Sequence, residues 1–387
     1  MDAICKSDTD MERSVSVKKY KILQNTRELV NEKACIASKN MSLDILRIVA
    51  ALMVLMVHVG QRTGLNKWTD VGAKGVPLFF ILSGYLAMAS CHRIFSMDGT
   101  VKDYYIGRAK RILPMYYWAL FLDYIYSIYM YHSQGFNFTE IFDFFYGPCG
   151  IRYIRYVFFL QYVLPSDNFT WWNNRFALWS MSAFAFFYIC APLIYKILNK
   201  FWKIFGVTIF LMLVNSYMVN ITFKMFSKIG NVSGADMLAG GEPINQLCIF
   251  LLGCMVYFVK DEKNRFALGM ACLVAAVLTS MQFFGYELIF TACLIFALAV
   301  PMTNINAIAK KILTYLSKFT FCLYLVHPII IENVSNFVIG KMGLLSWRAF
   351  LLIYIVCIIF CAIVFEIYTY LDKRVKIFIT KKIETRF

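Results

Sequence analysis

Long apolar runs recur along almost the whole of this chain, and they limit its fold more than any other feature. A helix needs about 20 mostly apolar residues to cross the hydrocarbon of a bilayer. In that solvent every backbone N–H and C=O group must be paired inside the protein, and a helix pairs them within one segment. We therefore predict an all-α, polytopic membrane helix bundle.

Ten runs are long enough to be predicted as transmembrane helices. They fall near 44–60, 75–92, 113–131, 176–195, 203–223, 244–259, 266–283, 286–301, 312–331 and 347–371. The run 153–164 is too short to cross, so we predict an interfacial or re-entrant piece there.

Composition agrees with this interpretation and narrows the function. Of 387 residues, 60% are hydrophobic and 16% are charged, whereas soluble proteins carry charges at about a quarter of positions. The net charge is +16, but the basic residues lie at the edges of apolar runs, so nucleic acid is not an expected partner. The twelve cysteines are scattered without metal spacing and are typical of small buried side chains.

The distribution of lysine and arginine predicts the orientation. If the N-terminus is inside, about three quarters of the 39 basic residues fall on the cytoplasmic side, as the positive-inside rule requires. Both ends of the chain are then cytoplasmic. We predict a polar N-terminal tail over 1–40, without a cleavable signal peptide, a transmembrane domain over 41–372 and a basic tail over 373–387.

In the first span, SLDILRIVAALMVLMVHVG, two ionisable side chains stand out, Arg47 and His58. Eleven residues at about 100° each make nearly three turns, so both leave one helix face, roughly 16 Å apart along the axis. Asp44 precedes Arg47 by three residues and is within its reach. Ionisable groups in hydrocarbon usually face a protein-lined cavity. A hydrogen-bonded structural histidine and a snorkelling arginine are the alternatives.

Two neighbouring segments add candidate binding groups. In GVPLFFILSGYLA, Ser83 and Gly84 form a notch of small residues that a neighbouring helix or a ligand can fill. In YYIGRAKRILPMYY, Arg108 and Arg111 share a face if the stretch is helical. Guanidinium groups suit phosphate binding, which favours a phosphorylated cytosolic cofactor; the alternative is a basic loop that only sets topology.

A second deep histidine, His327, lies in LSKFTFCLYLVHPIII, where Pro328 can end or kink the ninth span. The two histidines are far apart in sequence without metal spacing, so no metal is expected. The chain also lacks the GxxxxGK[ST], GxGxxG, HExxH and GxSxG motifs of common nucleotide-binding and hydrolytic sites.

Taken together, these segments resemble acyltransferase family 3, a family of integral membrane acyltransferases. The Arg47-x10-His58 arrangement is similar to the first-helix motif of that family, and GVPLFFILSGY at 75–85 to its second-helix signature. RAKRILPMYY at 108–117 resembles its arginine-rich third segment, and YLVHP at 324–328 its late His-Pro motif. The four motifs occur in order over residues 42–332.

The resemblance implies transfer of an acyl group, mostly acetyl, from cytosolic acyl-CoA to sugars of surface glycans or their lipid-linked precursors. The implied catalytic residues are His58 and Arg47, and the implied cofactor-binding residues are Arg108, Arg111, Ser83 and Tyr85. Further expected pocket residues are Asp44, Trp179, Tyr188 and His327. The expected co-substrate is acetyl-CoA and the expected location is a bacterial plasma membrane; the oligomeric state stays open. The short C-terminus implies the stand-alone form, without a hydrolase-like domain.

One stretch departs from the family pattern. Many members carry Glu-Glu-Gln between a Trp-Ser and a Phe-Tyr of a middle helix. Here LWSMSAFAFFYICAPLIY keeps Trp179, Ser180, Phe187 and Tyr188 but has Phe-Ala-Phe at 184–186. The change concerns the acceptor and leaves the catalytic candidate in place.

In the implied mechanism the phosphates of acyl-CoA lie near the arginines and the thioester near His58. The neutral imidazole takes the proton of a sugar hydroxyl as that hydroxyl attacks the thioester. A covalent acyl-histidine is an open alternative route. Two other functional classes fit the composition and topology: a polytopic glycan transporter, flippase or polymerase, and a regulatory or scaffolding membrane protein without catalysis.

Overall fold

The computed structural model describes residues 40–143, 147, 149–161, 178–229, 239–259, 261–279, 284–299, 302 and 305–384. The predicted N-terminal tail lies outside these residues except for Asn40. Every regular element in the described part of the chain is a helix, which confirms the all-α prediction. The last helix continues without a break across the predicted boundary at residue 372.

Ten longer helices, α1 to α10, fall on the ten predicted spans. In chain order they are α1 Met41–Thr63, α2 Gly75–Phe95, α3 Val101–Ser133, α4 Trp179–Ile197, α5 Phe201–Ile229, α6 Pro243–Phe258, α7 Glu262–Leu278, α8 Gly285–Ala299, α9 Ala307–Ser335 and α10 Ser346–Glu384. Shorter helices occupy Asn66–Thr69, Asp70–Lys74, Phe138–Phe142, Ile151–Val157 and Asn336–Lys341.

Among the described residues, seven helices are long and apolar enough to cross a membrane. They are Met41–Thr63, Asn66–Phe95, Trp179–Ile197, Phe201–Lys228, Ala239–Phe258, Ala307–Lys341 and Ser346–Phe378. The other three predicted spans differ for clear reasons. The helices α7 and α8 have 17 and 15 residues, fewer than the roughly 20 that a crossing needs. The helix α3 is long enough, but several tyrosines and Asp123 make its apolar part less hydrophobic.

Hydrogen bonds fix α1 at both of its ends. At its start, the side chain of Asn40 accepts from the backbone N–H of Ser42 and donates to the carbonyl of Ala297 at the end of α8. At its other end, Gly64 adopts a left-handed conformation with φ 71° and caps the helix by donating to the carbonyl of Gly60. Arg47 and His58 therefore lie on an anchored helix.

The helices α1 and α9 run parallel. Arg47 near the start of α1 contacts Ser317 of α9, and further along His58 contacts His327. The spacing is eleven residues on α1 and ten on α9, so the two contacts stay in register along the pair. A parallel first and ninth span is also what an alternating ten-span topology requires. Pro328 lies inside α9, which continues to Ser335, so of the two predicted effects of this proline the helix end is not observed.

The notch in α2 is filled by a neighbouring helix. A Cβ atom on Gly84 would lie 2.0 Å from the carbonyl oxygen of Phe250 in α6, and one on Gly253 would lie 1.8 Å from that of Ile81. The two glycines therefore let the backbones of α2 and α6 approach directly, as small residues do at crossings in membranes. Of the two predicted occupants of the notch at Gly84, the neighbouring helix is the correct one.

An aromatic layer closes the bundle between α2, α4 and α6. The ring of Phe250 stacks on Phe80 and Phe187 with centroids 4.4 and 4.3 Å apart, and Phe184 meets Phe80 edge-on at 5.0 Å. Edge-on and offset contacts of this kind are favourable for aromatic pairs. The phenylalanine that replaces a polar residue of the family pattern thus contributes to packing.

Candidate active site

The start of α1 carries a buried ion pair that reaches α9. Asp44 is 0% exposed, and its Oδ1 lies 2.6 Å from Nη1 of Arg47. The same oxygen accepts a hydrogen bond of 2.6 Å from the Ser317 hydroxyl. Arg47 keeps 16% of its side chain exposed. The predicted i, i+3 contact is therefore present, and Ser317 extends it to a second helix. Sequence reasoning missed this serine because it follows no motif.

Two further arginines gather around this pair. Arg111, exposed on α3, and Tyr188 of α4 both lie close enough to Arg47 to interact with it electrostatically. Arg108 packs over the ring of Tyr188 at 4.9 Å and donates a 2.9 Å hydrogen bond to the carbonyl of Leu86. We call Arg47, Arg108 and Arg111 the basic cluster. Asp44 balances one of its three guanidinium charges, and the cluster therefore suits an anion.

The remaining two predicted cofactor residues lie on α2. Tyr85 is half-buried, with its ring 6.1 Å from that of Tyr257 in α6, and it interacts electrostatically with Arg265. Ser83 is also half-buried, one residue before the glycine at the helix crossing. Tyr85 directly precedes Leu86, whose carbonyl holds Arg108. This stretch of α2 is therefore adjacent to the basic cluster.

At the other end of α1, two imidazole rings stack on one another. The ring centroids of His58 and His327 are 5.1 Å apart, with an angle of 29° between the planes. Nδ1 of His58 lies 3.0 Å from Oε1 of Gln61, and Nδ1 of His327 lies 3.0 Å from the carbonyl oxygen of Leu323. Both of these oxygens are acceptors, so both Nδ1 atoms carry the proton in the neutral rings. Each Nε2 then presents a lone pair.

The two rings differ in their access to solvent. His58 is half-buried, whereas His327 is 1% exposed. Within the described residues, Nε2 of His327 is buried without a hydrogen-bond partner, and no group of three or more histidine, cysteine, aspartate or glutamate side chains could hold a metal ion. We call His58 and His327 the histidine pair. Sequence spacing gave no sign that these residues meet, because 269 positions separate them.

The helix α4 contacts both the basic cluster and the surroundings of the histidine pair. Ser180 at the start of α4 lies 2.6 Å from the hydroxyl of Tyr324, whose ring is 6.3 Å from that of His327. Trp179, beside it, meets the ring of Phe80 edge-on at 6.0 Å. Tyr188, further along the same helix, lies in the basic cluster. The helix α4 therefore runs antiparallel to α1 and contributes to both ends of the site.

Polar groups also gather beyond the histidine pair. Arg62, one turn after His58 on α1, interacts electrostatically with its ring. Arg62 and Glu332 of α9 both interact in the same way with the hydroxyl of Tyr126 in α3. Carboxylate, guanidinium and phenol groups together offer donors and acceptors for a ligand with hydroxyl groups.

Comparison with known proteins gives a consistent family assignment. A family model described as an acyltransferase domain matches residues 40–366. A predicted O-acetyltransferase of Staphylococcus aureus (strain COL) is 23% identical over 337 aligned residues, covering 76% of this chain and 51% of that protein. The relative from Staphylococcus aureus (strain N315) has the same values.

A predicted acetyltransferase of Acidianus two-tailed virus is 23% identical over 157 residues, covering 40% of this chain and 41% of that protein. The chain thus spans about half the length of the curated relatives that it matches, or less. No solved structure matches it.

Proposed function

This chain belongs to acyltransferase family 3, and from that premise we propose that it transfers an acetyl group from acetyl-CoA to a hydroxyl of a cell-surface polysaccharide or its lipid-linked precursor. One observation carries the proposal: three helices join a basic cluster to a pair of neutral imidazoles. Each helix has one residue at each end of the site. Arg47, Tyr188 and Ser317 lie at the basic end, and His58, Ser180 and His327 lie at the histidine end.

The distance between the basic cluster and the histidine pair suits an elongated acyl donor such as acetyl-CoA. Residue pairs eight to eleven apart on these helices correspond to roughly 12–16 Å along a helix axis. Acetyl-CoA has phosphates at one end and a thioester at the other, joined by an extended arm. Phosphates bound by the basic cluster therefore leave the thioester free to reach the histidine pair.

The charge distribution supports a cytosolic donor. With ten spans and both termini inside, as we propose for a bacterial plasma membrane, the starts of α1 and α3 face the cytoplasm. Arg47, Arg108 and Arg111 lie at those starts. Acetyl-CoA then enters from the side on which the cell makes it, and the histidine pair lies deeper in the bundle.

The chemistry follows from the tautomer of His58. Its Nε2 lone pair takes the proton from an acceptor hydroxyl while the oxygen forms a bond with the thioester carbonyl carbon. The tetrahedral intermediate then collapses, the C–S bond breaks, and the CoA sulfur receives a proton. General base catalysis of this kind contributes about 10²–10⁴-fold.

The acceptor side is supported by the groups beyond the histidine pair. Arg62, Tyr126 and Glu332 interact in the vicinity of His58, and their functional groups match the hydroxyls of a carbohydrate. His58 is half-buried, so an acceptor can approach it from this side while the donor arrives from the other.

Transfer of radiolabel tests this proposal directly. Membranes from cells that make the chain are incubated with [acetyl-¹⁴C]acetyl-CoA, and label is measured in the polysaccharide and lipid fractions. We expect chain-dependent label in one of these fractions, with free CoA competing. Matched membranes without the chain give the background. Absence of transferred label above this background contradicts the proposal and favours a transporter, a polymerase or a scaffold.

A further inference from the structure

The geometry points to a residue that holds the candidate base in its working form: we propose that Gln61 is a positioning residue for His58. Its side-chain oxygen keeps the proton of the neutral imidazole on Nδ1 and leaves Nε2 free to act as the base. This inference rests on the acyl transfer proposed above. It starts from one contact, in which Oε1 of Gln61 lies 3.0 Å from Nδ1 of His58.

Helical spacing brings these two side chains together. Gln61 lies three residues after His58, in the last turn of α1, and residues three apart are neighbours on a helix surface. Gly64 caps that turn by donating to the carbonyl of Gly60, so the backbone that carries Gln61 is held in place. The amide therefore lies beside the ring through the geometry of a single helix.

The two histidines of the pair hold their Nδ1 protons in different ways. His327 donates to the carbonyl of Leu323, four residues earlier in its own helix, and a backbone carbonyl is present whatever the residue. His58 has a side-chain acceptor instead, so its tautomer depends on which residue stands at position 61. Gln61 is exposed, and a hydrogen bond that solvent can replace adds little to folding. The bond therefore matters more for the ring than for the fold.

The bond to Oε1 selects one of two forms of the ring. In a neutral imidazole one nitrogen donates and the other accepts. Since Oε1 only accepts, it selects Nδ1–H and puts the lone pair on Nε2. Without this selection part of the population would carry the proton on Nε2, and those rings could not take a hydroxyl proton. Two other neighbours of the ring act differently, because Arg62 carries only donors and His327 meets the face of the ring.

The proton balance of the transfer leaves Nδ1 unchanged. The acceptor O–H bond breaks, its oxygen bonds to the thioester carbon, and the proton passes to Nε2 of His58. The ring is then an imidazolium, whose Nδ1–H still donates to Gln61, now in a charge-assisted bond that is about twice as strong. When the C–S bond breaks, Nε2 gives its proton to the sulfur. Gln61 therefore stabilises the charged ring as well as selecting the neutral tautomer.

Two substitutions separate the acceptor atom from the rest of the side chain. Gln61→Leu keeps an unbranched Cβ and removes the amide. Gln61→Glu keeps an oxygen at the same reach and, as a carboxylate, can only accept. Gln134→Leu is the matched control, because Gln134 is another exposed glutamine at the end of a helix, the one that follows Ser133 of α3.

The assay measures initial rates of acetyl transfer to the endogenous acceptor in membranes, with acetyl-CoA varied to give kcat and KM. We expect Gln61→Leu to lose about tenfold in kcat, with the KM for acetyl-CoA changed less than about twofold, because one hydrogen bond to a ring that becomes charged is worth about this much. Gln61→Glu should keep kcat within about threefold of the wild type, because an acceptor remains beside Nδ1. The Gln134 variant should keep the wild-type kcat. Thermal unfolding in detergent shows that each variant is folded.

Three results would overturn the proposal. A wild-type kcat in Gln61→Leu shows that the ring needs no side-chain acceptor. A kcat in Gln61→Glu as low as that in Gln61→Leu shows that the amide serves as a donor, with the tautomer reversed. A lower kcat in Gln61→Leu with an equally large change in KM and a lowered melting temperature indicates a structural role. Wild-type membranes that transfer no label refute the acyl transfer itself, so the two failures are distinguishable.

Discussion

The two ends of the α1–α9 pair accommodate polar groups within an apolar bundle in different ways. At the start of α1 the groups are charged, and Asp44, Arg47 and Ser317 satisfy one another through bonds of 2.6 Å. At the other end the groups are uncharged imidazoles, and one nitrogen of His327 has no partner in the described chain. A paired charge holds a fixed structure, whereas an unpaired lone pair is available for chemistry.

The cost of burial explains this division. An isolated charge in a membrane interior is expensive, so charged residues there pair with one another or with water. A neutral imidazole costs less and can take up a proton when substrate arrives. We therefore expect the basic cluster to affect binding of the donor and the histidine pair to affect turnover. The predictions below test that separation, beginning with the largest effect.

His58→Ala should lower the kcat of acetyl transfer by at least about 100-fold with little change in the KM for acetyl-CoA. The substitution removes the base that takes the hydroxyl proton, while the basic cluster about 16 Å away is unchanged. Initial rates in membranes, with the amount of inserted protein measured in parallel, check this. If folded His58→Ala retains near-normal transfer, the histidine end is not the catalytic end.

Arg111→Gln should raise the KM for acetyl-CoA by about tenfold or more and leave kcat within a few-fold. Loss of one charge-assisted hydrogen bond to a phosphate costs roughly 1.5–3 kcal/mol, and 1.4 kcal/mol corresponds to tenfold in affinity. Lys110→Gln is the matched control, because it removes the same charge from an exposed neighbour on α3.

An equal increase in KM in both of these variants would mean that general positive charge, and not the basic cluster, attracts the donor. A fall in kcat at constant KM in Arg111→Gln would contradict the assignment of binding to this end.

Ser317→Ala should have the smallest effect, an increase of about threefold in the KM for acetyl-CoA and a melting temperature lower by a few degrees. The hydroxyl donates to Asp44, so its loss loosens the carboxylate that orients Arg47 without removing either charge. Thr369→Ala is a suitable control, because its hydroxyl donates an exposed hydrogen bond to the backbone carbonyl of Glu366, within α10 itself. An unchanged KM and melting temperature would show that Arg47 is positioned without α9.

Particular residues show how far sequence reasoning reaches. The contact of Asp44 with Arg47 follows from helical spacing, and so does the common face of Arg47 and His58, since both meet the same neighbouring helix. Gln61, three residues after His58, was within reach of the same argument but was missed. Ser317 and Tyr324 were not predictable, because their partners lie on other helices.

The sequence by itself determined the helical class of the protein, because backbone groups in lipid must pair within each apolar segment. It also determined which side chains share a face of α1, because helical periodicity is local. Only the tertiary structure decided which helices meet: that His58 stacks on His327, that Tyr188 joins the basic cluster, and that a neighbouring backbone fills the notch at Gly84. Those contacts depend on packing between segments distant in the chain, which the periodicity of a single segment does not encode.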